Sequence, residues 1–280
     1  MNFTLIVATL GRSDEIRRLF DSLLMQSYKE FDVIIVDQNS DNRVFKIYNE
    51  YKNRMSIQYI HTNEKGLSHA RNLGMKQKLN DIVAFPDDDC WYAVSTLKEV
   101  NEIFTHSSYD VVSGQPLDPD GNLLVRNYLK NSSKIGFNNV WNAAISISIF
   151  IKKNVIEKVG FFDEKLGVGS GTIYGSGEET DYISRVLNCN FNVQYDTRVK
   201  IIHPKEVGSK DDKEIDKAFL YGCGMGYVLA KHHFPLFTKL KALIRPFGGA
   251  CLAFAMHDSH LSRIRYNTFC GRLQGMRAKF

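Results

Sequence analysis

Three consecutive carboxylates, Asp87, Asp88 and Asp89, are the residues of this 280-residue sequence that most clearly suggest chemistry. They follow Pro86 and the apolar run 82–85, which predicts a buried strand that ends in a turn. Adjacent carboxylates repel one another unless a cation binds them, and open α/β sheets bind ligands at the carboxyl ends of their strands. A turn that caps the next helix would explain one acid but not three. We therefore expect a Mg²⁺ or Mn²⁺ site here, of the kind that neutralises a diphosphate leaving group.

Two loops on the amino-terminal side of these acids carry polar side chains that could contact the same ligand. Asp37 and Gln38 follow the second predicted strand, where a loop can hydrogen-bond a base or a ribose. A turn explains these residues equally well. Arg71 and Lys65 lie near the start of a predicted helix and could meet a phosphate or a base carbonyl. Taken alone, that segment is better explained as a surface helix.

Two later segments carry a candidate base and a candidate metal ligand. Glu179 opens a predicted helix after the glycine-rich loop 167–177, and a flexible loop beside acids often closes over a substrate. A carboxylate here could take the proton of an acceptor hydroxyl, but Ser176 also predicts a capping box with Glu179. His203 follows a predicted strand, where an imidazole could bind a metal. A lone histidine at a strand end is more often structural.

The elements that position these residues follow from the apolar pattern. Before Tyr109, short β-branched runs alternate with amphipathic segments. Strands are predicted at 3–8, 31–36, 57–60 and 82–85, and helices at 15–26, 43–51 and 66–78. This alternation predicts βαβ units and a mostly parallel sheet with helices on both faces.

After Tyr109 the pattern changes, and a polar loop at 115–139 is followed by segments of mixed type. Strands are predicted at 142–151, 191–195 and 199–202, and helices at 153–159 and 178–187. The chain is therefore predicted to divide into residues 1–115, residues 116–216, which continue the same domain without a linker, and residues 217–280.

The carboxyl-terminal region is strongly basic. Residues 217–280 contain ten Lys or Arg and one acid, Asp258, so their net charge is +9 against −4 for residues 1–216. Apolar and basic residues interleave at 231–245 and 261–277, which is typical of amphipathic helices that lie in a membrane interface. Packing on the main domain or on a second subunit is the alternative, so a homo-oligomer stays open. The charge indicates an anionic partner, for which phospholipid head groups, a lipid pyrophosphate and nucleic acid are the candidates. Of these we expect a membrane surface and no nucleic acid.

Composition places the chain among globular, intracellular proteins. The five cysteines are scattered, and none forms a CxxC pair, which favours reduced thiols over a disulfide framework or a zinc site. The first apolar run is short and has no basic leader, so it reads as a strand and not as a signal peptide. No stretch reaches the roughly 20 apolar residues needed to span a bilayer. We expect a cytoplasmic protein.

These motifs, in this order, resemble those of bacterial family 2 glycosyltransferases, and the resemblance covers nearly the whole chain. The segments that carry it are the strand ending Ala8-Thr9 with Arg12, then VIIVDQNSDN, EKGLSHARNLG, FPDDD, GSGEETDYISR and IIHP. The resemblance implies an α/β fold with a GT-A-type, Rossmann-like mixed sheet flanked by helices and a C-terminal amphipathic helical tail. It also implies that residues 1–115 bind a nucleotide-sugar and that residues 116–216 bind the acceptor and carry catalysis.

The resemblance implies a role for each motif. Asp87, Asp89 and His203 would bind Mn²⁺ or Mg²⁺, and Glu179 would be the catalytic base at a position where the family usually has Asp. The donor would be bound by a larger set of residues: Thr9, Arg12, Asp37, Gln38, Arg71, Asp88, which would face the ribose, and Glu178. Gln38 stands where the family often has an acid that contacts the base. The resemblance implies a UDP-sugar as the donor; Gln38 departs from the family pattern, although a glutamine could still pair with uracil.

The implied function is inverting sugar transfer of the hexosyltransferase type. The sugar would pass from a nucleotide diphosphate-sugar to a hydroxyl of a lipid-linked or glycan acceptor, in the synthesis of a capsule or an O-antigen. The tail, with YGCGMGYVLAKHH and RYNTFCGRLQG, resembles that of membrane-associated transferases. We therefore expect a peripheral position on the cytoplasmic face of the inner membrane.

Other functions fit the sequence less well. A sugar nucleotidyltransferase usually has a glycine- and lysine-rich loop after the first strand, which LGRSDE does not supply. A non-catalytic sugar- or lipid-binding module would not need three adjacent acids. A processive polymer synthase would carry a QxxRW motif and membrane spans, and a nicotinamide-dependent enzyme would carry GxGxxG after the first strand.

Overall fold

The computed structural model describes residues 1–125, 127–205, 211–232 and 234–280. The chain divides into two compact units. The sheet unit comprises Met1–Lys65, His69–Phe161 and Arg185–Lys205, and the helical unit comprises Gly66–Ser68, Phe162–Ser184 and the described part of Glu206–Phe280.

The described residues form nine strands and nine α-helices. The strands are β1 (Phe3–Thr9), β2 (Phe31–Asp37), β3 (Ile57–His61), β4 (Ile82–Ala84), β5 (Trp91–Tyr92), β6 (Val111–Leu117), β7 (Ser133–Lys134), β8 (Ile149–Lys152) and β9 (Val193–Ile202). The helices are α1 (Asp14–Leu24), α2 (Arg43–Tyr51), α3 (Leu67–Met75), α4 (Thr96–Thr105), α5 (Lys153–Val159), α6 (Glu178–Asn188), α7 (Asp212–Lys231), α8 (Leu236–Ala255) and α9 (Ser259–Met276).

All the strands belong to one mixed sheet of the sheet unit. Their order is β3-β2-β1-β4-β8-β6-β9-β5, and β7 pairs with β9. The first four strands of this order are parallel, whereas β8 is antiparallel to both β4 and β6. Because β1, β2 and β4 run in the same direction, the loops that follow them meet at one edge of the sheet.

The core of the sheet unit lies between this sheet and its helices. Strand β1 is buried on both faces, as expected for a parallel strand that helices cover on both sides. Helix α1 buries a stripe of apolar side chains at helical spacing, namely Ile16, Leu19, Phe20 and Leu23, none of which is exposed. Each such side chain contributes about 1.5–3 kcal/mol on burial.

Three predicted strands are wrong in extent. The prediction makes residues 142–151 one strand, but a 3₁₀ turn at Val140–Asn142 ends where this range begins, and a second at Ser146–Ser148 precedes β8. Ser148 explains part of this, because its hydroxyl donates to the carbonyl oxygen of Ile145 at 3.0 Å and so competes with a sheet ladder. Residues 191–195 and 199–202, expected to be separate strands, are the single strand β9.

The predicted polar loop at 115–139 is also wrong at its start, because residues 115–117 end strand β6. The register between β6 and β9 shifts between Ser113 and Gln115. A Cβ atom on Gly114 would lie 2.6 Å from the carbonyl oxygen of Val199, so only glycine lets the two strands approach there. In a sequence, glycine is typical of a turn, so the end of strand β6 was not predicted.

Glycines also set the packing of the helical unit. Helix α9 packs on α7, and the contact line is formed by Gly222 and Gly226 of α7 and Gly271 and Gly275 of α9. A Cβ atom on Gly226 would lie 2.2 Å from the carbonyl oxygen of Arg272, and one on Gly275 would lie 2.0 Å from that of Cys223. The two helix backbones are therefore in direct contact.

Helix α8 (Leu236–Ala255) runs through a proline, which corrects the prediction of an amphipathic helix over 231–245. Pro246 has no N–H to donate to the carbonyl oxygen of Ala242. Arg272 of α9 donates to that oxygen from Nη1 at 2.5 Å, so the carbonyl keeps a partner and the helix continues. Of the helices in the described ranges, none is at once long and apolar enough to cross a membrane.

Candidate active site

The acid cluster lies in the sheet unit on the connection from β4 to β5. Strand β5 pairs with β9, and Trp91 lies opposite Ile202, so the residue after β9 is held beside the acids. That residue is His203, whose Nε2 lies 3.0 Å from Oδ1 of Asp89. One ligand atom from each of Asp87, Asp89 and His203 can be chosen so that all three lie within 4.8 Å of one another. The three residues predicted to bind a metal are thus neighbours.

The orientation of His203 suits a metal ligand. Its Nδ1 donates to the carbonyl oxygen of Pro204 at 2.6 Å, which leaves Nε2 directed at Asp89. Histidines that bind metals are commonly oriented through their other ring nitrogen in this way. Carboxylates suit Mg²⁺ and Mn²⁺, whereas imidazole is a ligand for transition metals, so the three side chains together fit Mn²⁺ better.

Two opposed effects act on the imidazole and its carboxylate partner. Burial lowers the pKa of His203, but the hydrogen bond and the charge of Asp89 raise this pKa more, so the net shift is upward. Burial likewise raises the pKa of Asp89, but His203 and Arg12 outweigh it and the net shift is downward. Each group thus favours the charged form of the other, and a cation bound here would compete with the proton on the imidazole.

Asp88 contacts the last residue of β1 and the loop that follows it. Its Oδ2 accepts a hydrogen bond from the Thr9 hydroxyl at 2.7 Å, and its Oδ1 lies 3.2 Å from Nε of Arg12. The Arg12 guanidinium also pairs with Asp89. Burial raises the pKa of Asp88 to about 7, although Thr9 and Arg12 act in the opposite direction. Asp88 is therefore costly to ionise, and its charged form depends on these two partners.

Arg71 is fully buried, with 1% of its surface exposed, which rules out the alternative of a surface helix for this side chain. Its Nη2 lies 2.9 Å from Oδ1 of Asp87. A buried guanidinium needs a compensating charge, and Asp87 supplies it. The segment that contains Arg71 is thereby tied to the acid cluster.

The loop after β2 is held next to β1. Thr9 and Asp37 are partners in the register of the two strands. Asp37 is fully buried and accepts hydrogen bonds from the Tyr59 hydroxyl at 2.8 Å and from the backbone N–H of Asn39 at 2.9 Å. Gln38 donates its backbone N–H to the carbonyl oxygen of Thr9 at 3.0 Å. Asp37 and Gln38 therefore lie at the sheet edge where they were expected.

Sequence reasoning missed two residues that position this edge. Arg18 of α1 donates from Nη2 to the carbonyl oxygen of Asp89 at 2.8 Å and stacks over the Trp91 ring at 4.3 Å. Asn39 accepts a hydrogen bond from the backbone N–H of Gly11 at 2.7 Å and so joins the loops after β1 and β2. Asn39 could have been found from its turn-forming neighbours, whereas nothing in the local pattern of α1 distinguishes Arg18.

Glu178 and Glu179 belong to the helical unit, at the start of α6. Glu178 is buried, and a Cβ atom on Gly167 would lie 3.3 Å from its Oε2 and 3.2 Å from Oγ of Ser68. Glu179 is partly exposed. Ser176 donates its hydroxyl to the carbonyl oxygen of Tyr221 at 3.0 Å. The glycine-rich loop is thus packed closely around the first turn of the helix.

The same helix start is anchored by charged residues of α7. Lys231 lies 2.7 Å from Oδ2 of Asp163 and 2.9 Å from Oδ1 of the buried Asp181, which also lies 2.8 Å from Nε2 of His232. Tyr227 donates its hydroxyl to Asp163 at 2.9 Å. Burial raises the pKa of Asp163, but its hydrogen-bond donors, Lys231 first, lower this pKa more. Asp181, two residues after Glu179 in α6, therefore belongs to a network of charged side chains.

Comparisons with known proteins agree with this architecture. The profile of the glycosyl transferase family 2 matches residues 4–164. The chain is similar to the poly(ribitol-phosphate) β-N-acetylglucosaminyltransferase TarS of Staphylococcus aureus, with 30% identity over 116 residues that cover 40% of this chain and 20% of TarS. The matched part spans about a fifth of the length of the first curated relatives.

Solved structures share the fold over almost the whole chain. Mannosyltransferase PcManGT from Pyrobaculum calidifontis, in complex with GDP-Man and Mn²⁺, superposes with a TM-score of 0.69 at 14% identity and covers 99% of this chain and 87% of its own. S. aureus TarS 1–349 in complex with UDP-GlcNAc has a TM-score of 0.62 at 16% identity, covering 97% and 93%. These likenesses confirm the predicted GT-A-type α/β fold. Because the family profile also matches more than half of its residues, the chain belongs to glycosyl transferase family 2.

Proposed function

We propose that this protein is an inverting, metal-dependent glycosyltransferase that moves a sugar from a nucleotide diphosphate-sugar to an acceptor hydroxyl. The observation that carries the proposal is the grouping of Asp87, Asp89 and His203 at the sheet edge where β1 and β2 also end. Family membership and the GT-A-type fold support it. The acceptor we propose is a lipid-linked or glycan saccharide of a surface polysaccharide, at the cytoplasmic face of the inner membrane.

The metal site would be formed by the two carboxylates and the imidazole, which fit Mn²⁺ and, less well, Mg²⁺. A bound cation supplies neutralisation of the charge that develops on the diphosphate leaving group. The complex of PcManGT with GDP-Man and Mn²⁺ supports this assignment.

The donor would be bound at the same edge by the residues that surround the acids. Arg71 is the group whose charge could meet a phosphate or a base carbonyl, because its guanidinium is already buried beside Asp87. Asp37 and Gln38 would contact the base and Asp88 the ribose, with Thr9 and Arg12 orienting Asp88. Glu178 would complete the donor site. We propose a UDP-sugar, and the complex of TarS with UDP-GlcNAc supports that choice.

The catalytic base we propose is Glu179. In the reaction, the acceptor oxygen forms a bond to the anomeric carbon while the bond from that carbon to the diphosphate oxygen breaks. The acceptor proton passes to the Glu179 carboxylate, and the nucleoside diphosphate leaves with the bonding electrons. Attack from the side opposite to the leaving group inverts the anomeric configuration. Glu179 lies in the first turn of α6, where the partial positive charge of the helix amino terminus favours a carboxylate.

Donor binding tests the site. Calorimetric titration of UDP-sugars and GDP-mannose, with Mn²⁺ and with a chelator, should give metal-dependent affinity for one donor. Asp89→Ala should weaken that affinity by at least about 100-fold, because even residues that only orient metal ligands contribute 10–100-fold. Asp14→Ala removes a side chain that is 90% exposed on α1 and should change nothing. Equal affinity with and without Mn²⁺ would contradict the metal assignment.

Turnover tests the base. Glu179→Gln should preserve donor affinity but lower kcat by about 10²–10⁴-fold, the usual contribution of a general base. Glu157→Gln, a matched change at an exposed position of α5, is the control. If Glu179→Gln turned over at the normal rate, the base would lie elsewhere, even though the donor site could still be correct.

A further inference from the structure

The helical unit exposes an apolar stripe along α8. Its members are Leu236, Phe237, Leu240, Ile244, Phe247, Cys251 and Phe254, all exposed to solvent. The exposed fraction reaches 74% for both Phe237 and Phe254 and 65% for Ile244. At 3.6 residues per turn these positions fall within an arc of roughly 100°. The stripe is therefore one continuous face of the helix.

The opposite face of α8 is already in use. Ala242, Pro246, Ala250 and Ala253 are buried, and α9 donates to the backbone of this face through Arg272 and through the Ser262 hydroxyl, which bonds to the carbonyl oxygen of Ala250 at 3.0 Å. The helix thus turns its small residues inward and its large apolar residues outward. A contiguous outward face of this kind marks an interaction surface, whereas single exposed apolar residues do not.

The charge beside the stripe indicates an anionic partner. Lys241 and Arg245 are exposed and lie on one border of the stripe, at about 140° and 180° when Leu236 is placed at 0°. Helix α8 contains no Asp or Glu, and residues 217–280 carry a net charge of +9. An apolar face bordered by cations is the pattern of helices that lie in the interface of an anionic membrane.

A second copy of the chain fits this surface less well. A two-fold antiparallel pairing along the stripe would place the basic border of one helix, where Lys241 lies, beside the same border of the other. Because α8 contains no acid, this pairing would bring like charges together without an offsetting charge.

We propose that the exposed stripe of α8 is a docking site for the surface of an anionic phospholipid membrane. The helix lies parallel to the membrane plane, its apolar side chains enter the boundary between head groups and acyl chains, and Lys241 and Arg245 contact lipid phosphates. This surface shares no residue with those assigned to donor binding and catalysis. The inference deepens the proposed function and rests on its placement of the reaction at the inner membrane, because it names the part of the chain that contacts that membrane.

Vesicle co-sedimentation of the full chain tests the proposal. We expect binding to vesicles of phosphatidylcholine with phosphatidylglycerol and much weaker binding to phosphatidylcholine alone. The double variant Phe237→Gln with Ile244→Gln should raise the Kd for anionic vesicles at least about tenfold, because two side chains no longer enter the apolar boundary. Lys241→Gln with Arg245→Gln should raise it by roughly fivefold per cation.

The matched control is Met25→Gln with Val94→Gln, which changes two apolar residues that are 66% and 56% exposed on the sheet unit. Its vesicle binding should equal that of the wild type. Unchanged vesicle binding in the Phe237 and Ile244 double variant would overturn the proposal. So would a dimer in sedimentation equilibrium that this variant dissociates, because the stripe would then be a subunit interface. The metal-dependent affinity for the donor, measured on the same variants, should stay unchanged. This second measurement distinguishes a failure of membrane docking from a failure of the donor site.

Discussion

The contact between α7 and α9 predicts that a single methyl group at Gly226 destabilises the helical unit. In Gly226→Ala the new Cβ would lie 2.2 Å from the carbonyl oxygen of Arg272 and 2.9 Å from the backbone nitrogen of Met276. Both are backbone atoms, so no side-chain rotation relieves the overlap. The two helices would have to separate by about 1 Å, and the contacts at Gly222 and Gly271 lie on the same line.

The magnitude follows from two opposed effects. Overpacking of a close contact costs about 1–3 kcal/mol, and more when the backbone must move. Replacing a helical glycine by alanine gains up to about 1 kcal/mol, because alanine loses less conformational entropy. Gly248→Ala in α8 isolates that gain, since a Cβ there has nothing within 4 Å. The difference in stability between the two variants should therefore equal the cost of the overlap, about 1–3 kcal/mol or more.

Urea denaturation followed by far-UV circular dichroism measures this difference. Trp91 and Trp141 are the two tryptophans of the chain, and both belong to the sheet unit. Their fluorescence therefore reports on the unit that the substitution does not touch and should show an unshifted transition if the units unfold separately. If Gly226→Ala were as stable as Gly248→Ala, the helices would not be in the close contact described, and the reasoning would be refuted.

Two further predictions concern charged contacts of the helical unit. Lys231→Met should lower the free energy of unfolding by about 3 kcal/mol at pH 7, because it removes the ammonium from the buried Asp181 and the partly buried Asp163. The wild type holds the pKa of Asp163 below its ordinary 3.8, so this stability is present above pH 3.8 and is lost as the pH falls through the lower folded-state pKa. Stability curves of the two proteins should converge at acid pH, and exposed Lys213→Met should show neither effect. Arg272→Met should lower the free energy of unfolding by about 1–3 kcal/mol in the wild type, because the carbonyl oxygen of Ala242 loses its donor. In the Pro246→Ala background the loss should be smaller, because the backbone N–H of the new alanine can donate to that oxygen. A double-mutant cycle that showed no coupling between the two substitutions would contradict this.

The amino-terminal half of the fold could be predicted because its pattern and its environment agree. Strands such as β1 are continuous apolar runs, and α1 repeats its apolar residues at helical spacing, so each local signal matches the burial that the sheet imposes. Strand β6 could not be predicted, since Gly114 and Pro116 read as turn residues although close backbone approach requires the glycine. Helix α8 was interrupted in the prediction for a similar reason, because the partner that compensates Pro246 is Arg272, 26 residues further along the chain.

Some residues of the candidate site could likewise be predicted from the sequence, and others could not. The acids after β4 and Asp37 after β2 could be found because parallel strands bring their carboxyl ends together whatever lies between them. The burial of Arg71 could not be found, since its helix has a mixed pattern and its partner Asp87 lies on another element. The assignment of Glu179 as the base stays a prediction, because the capping and the catalytic interpretation require the same residue at the same helix start.

The contact that makes His203 a candidate metal ligand depends on a very short strand. The histidine meets Asp89 because β5, only two residues long, pairs antiparallel with the end of β9. That short strand is itself held by Arg18, which stacks on Trp91 and bonds to the backbone of Asp89. The geometry of the proposed metal site therefore depends on α1, a helix that contributes no ligand. A change at Arg18 would alter the distance between His203 and Asp89 while leaving every ligand in the chain.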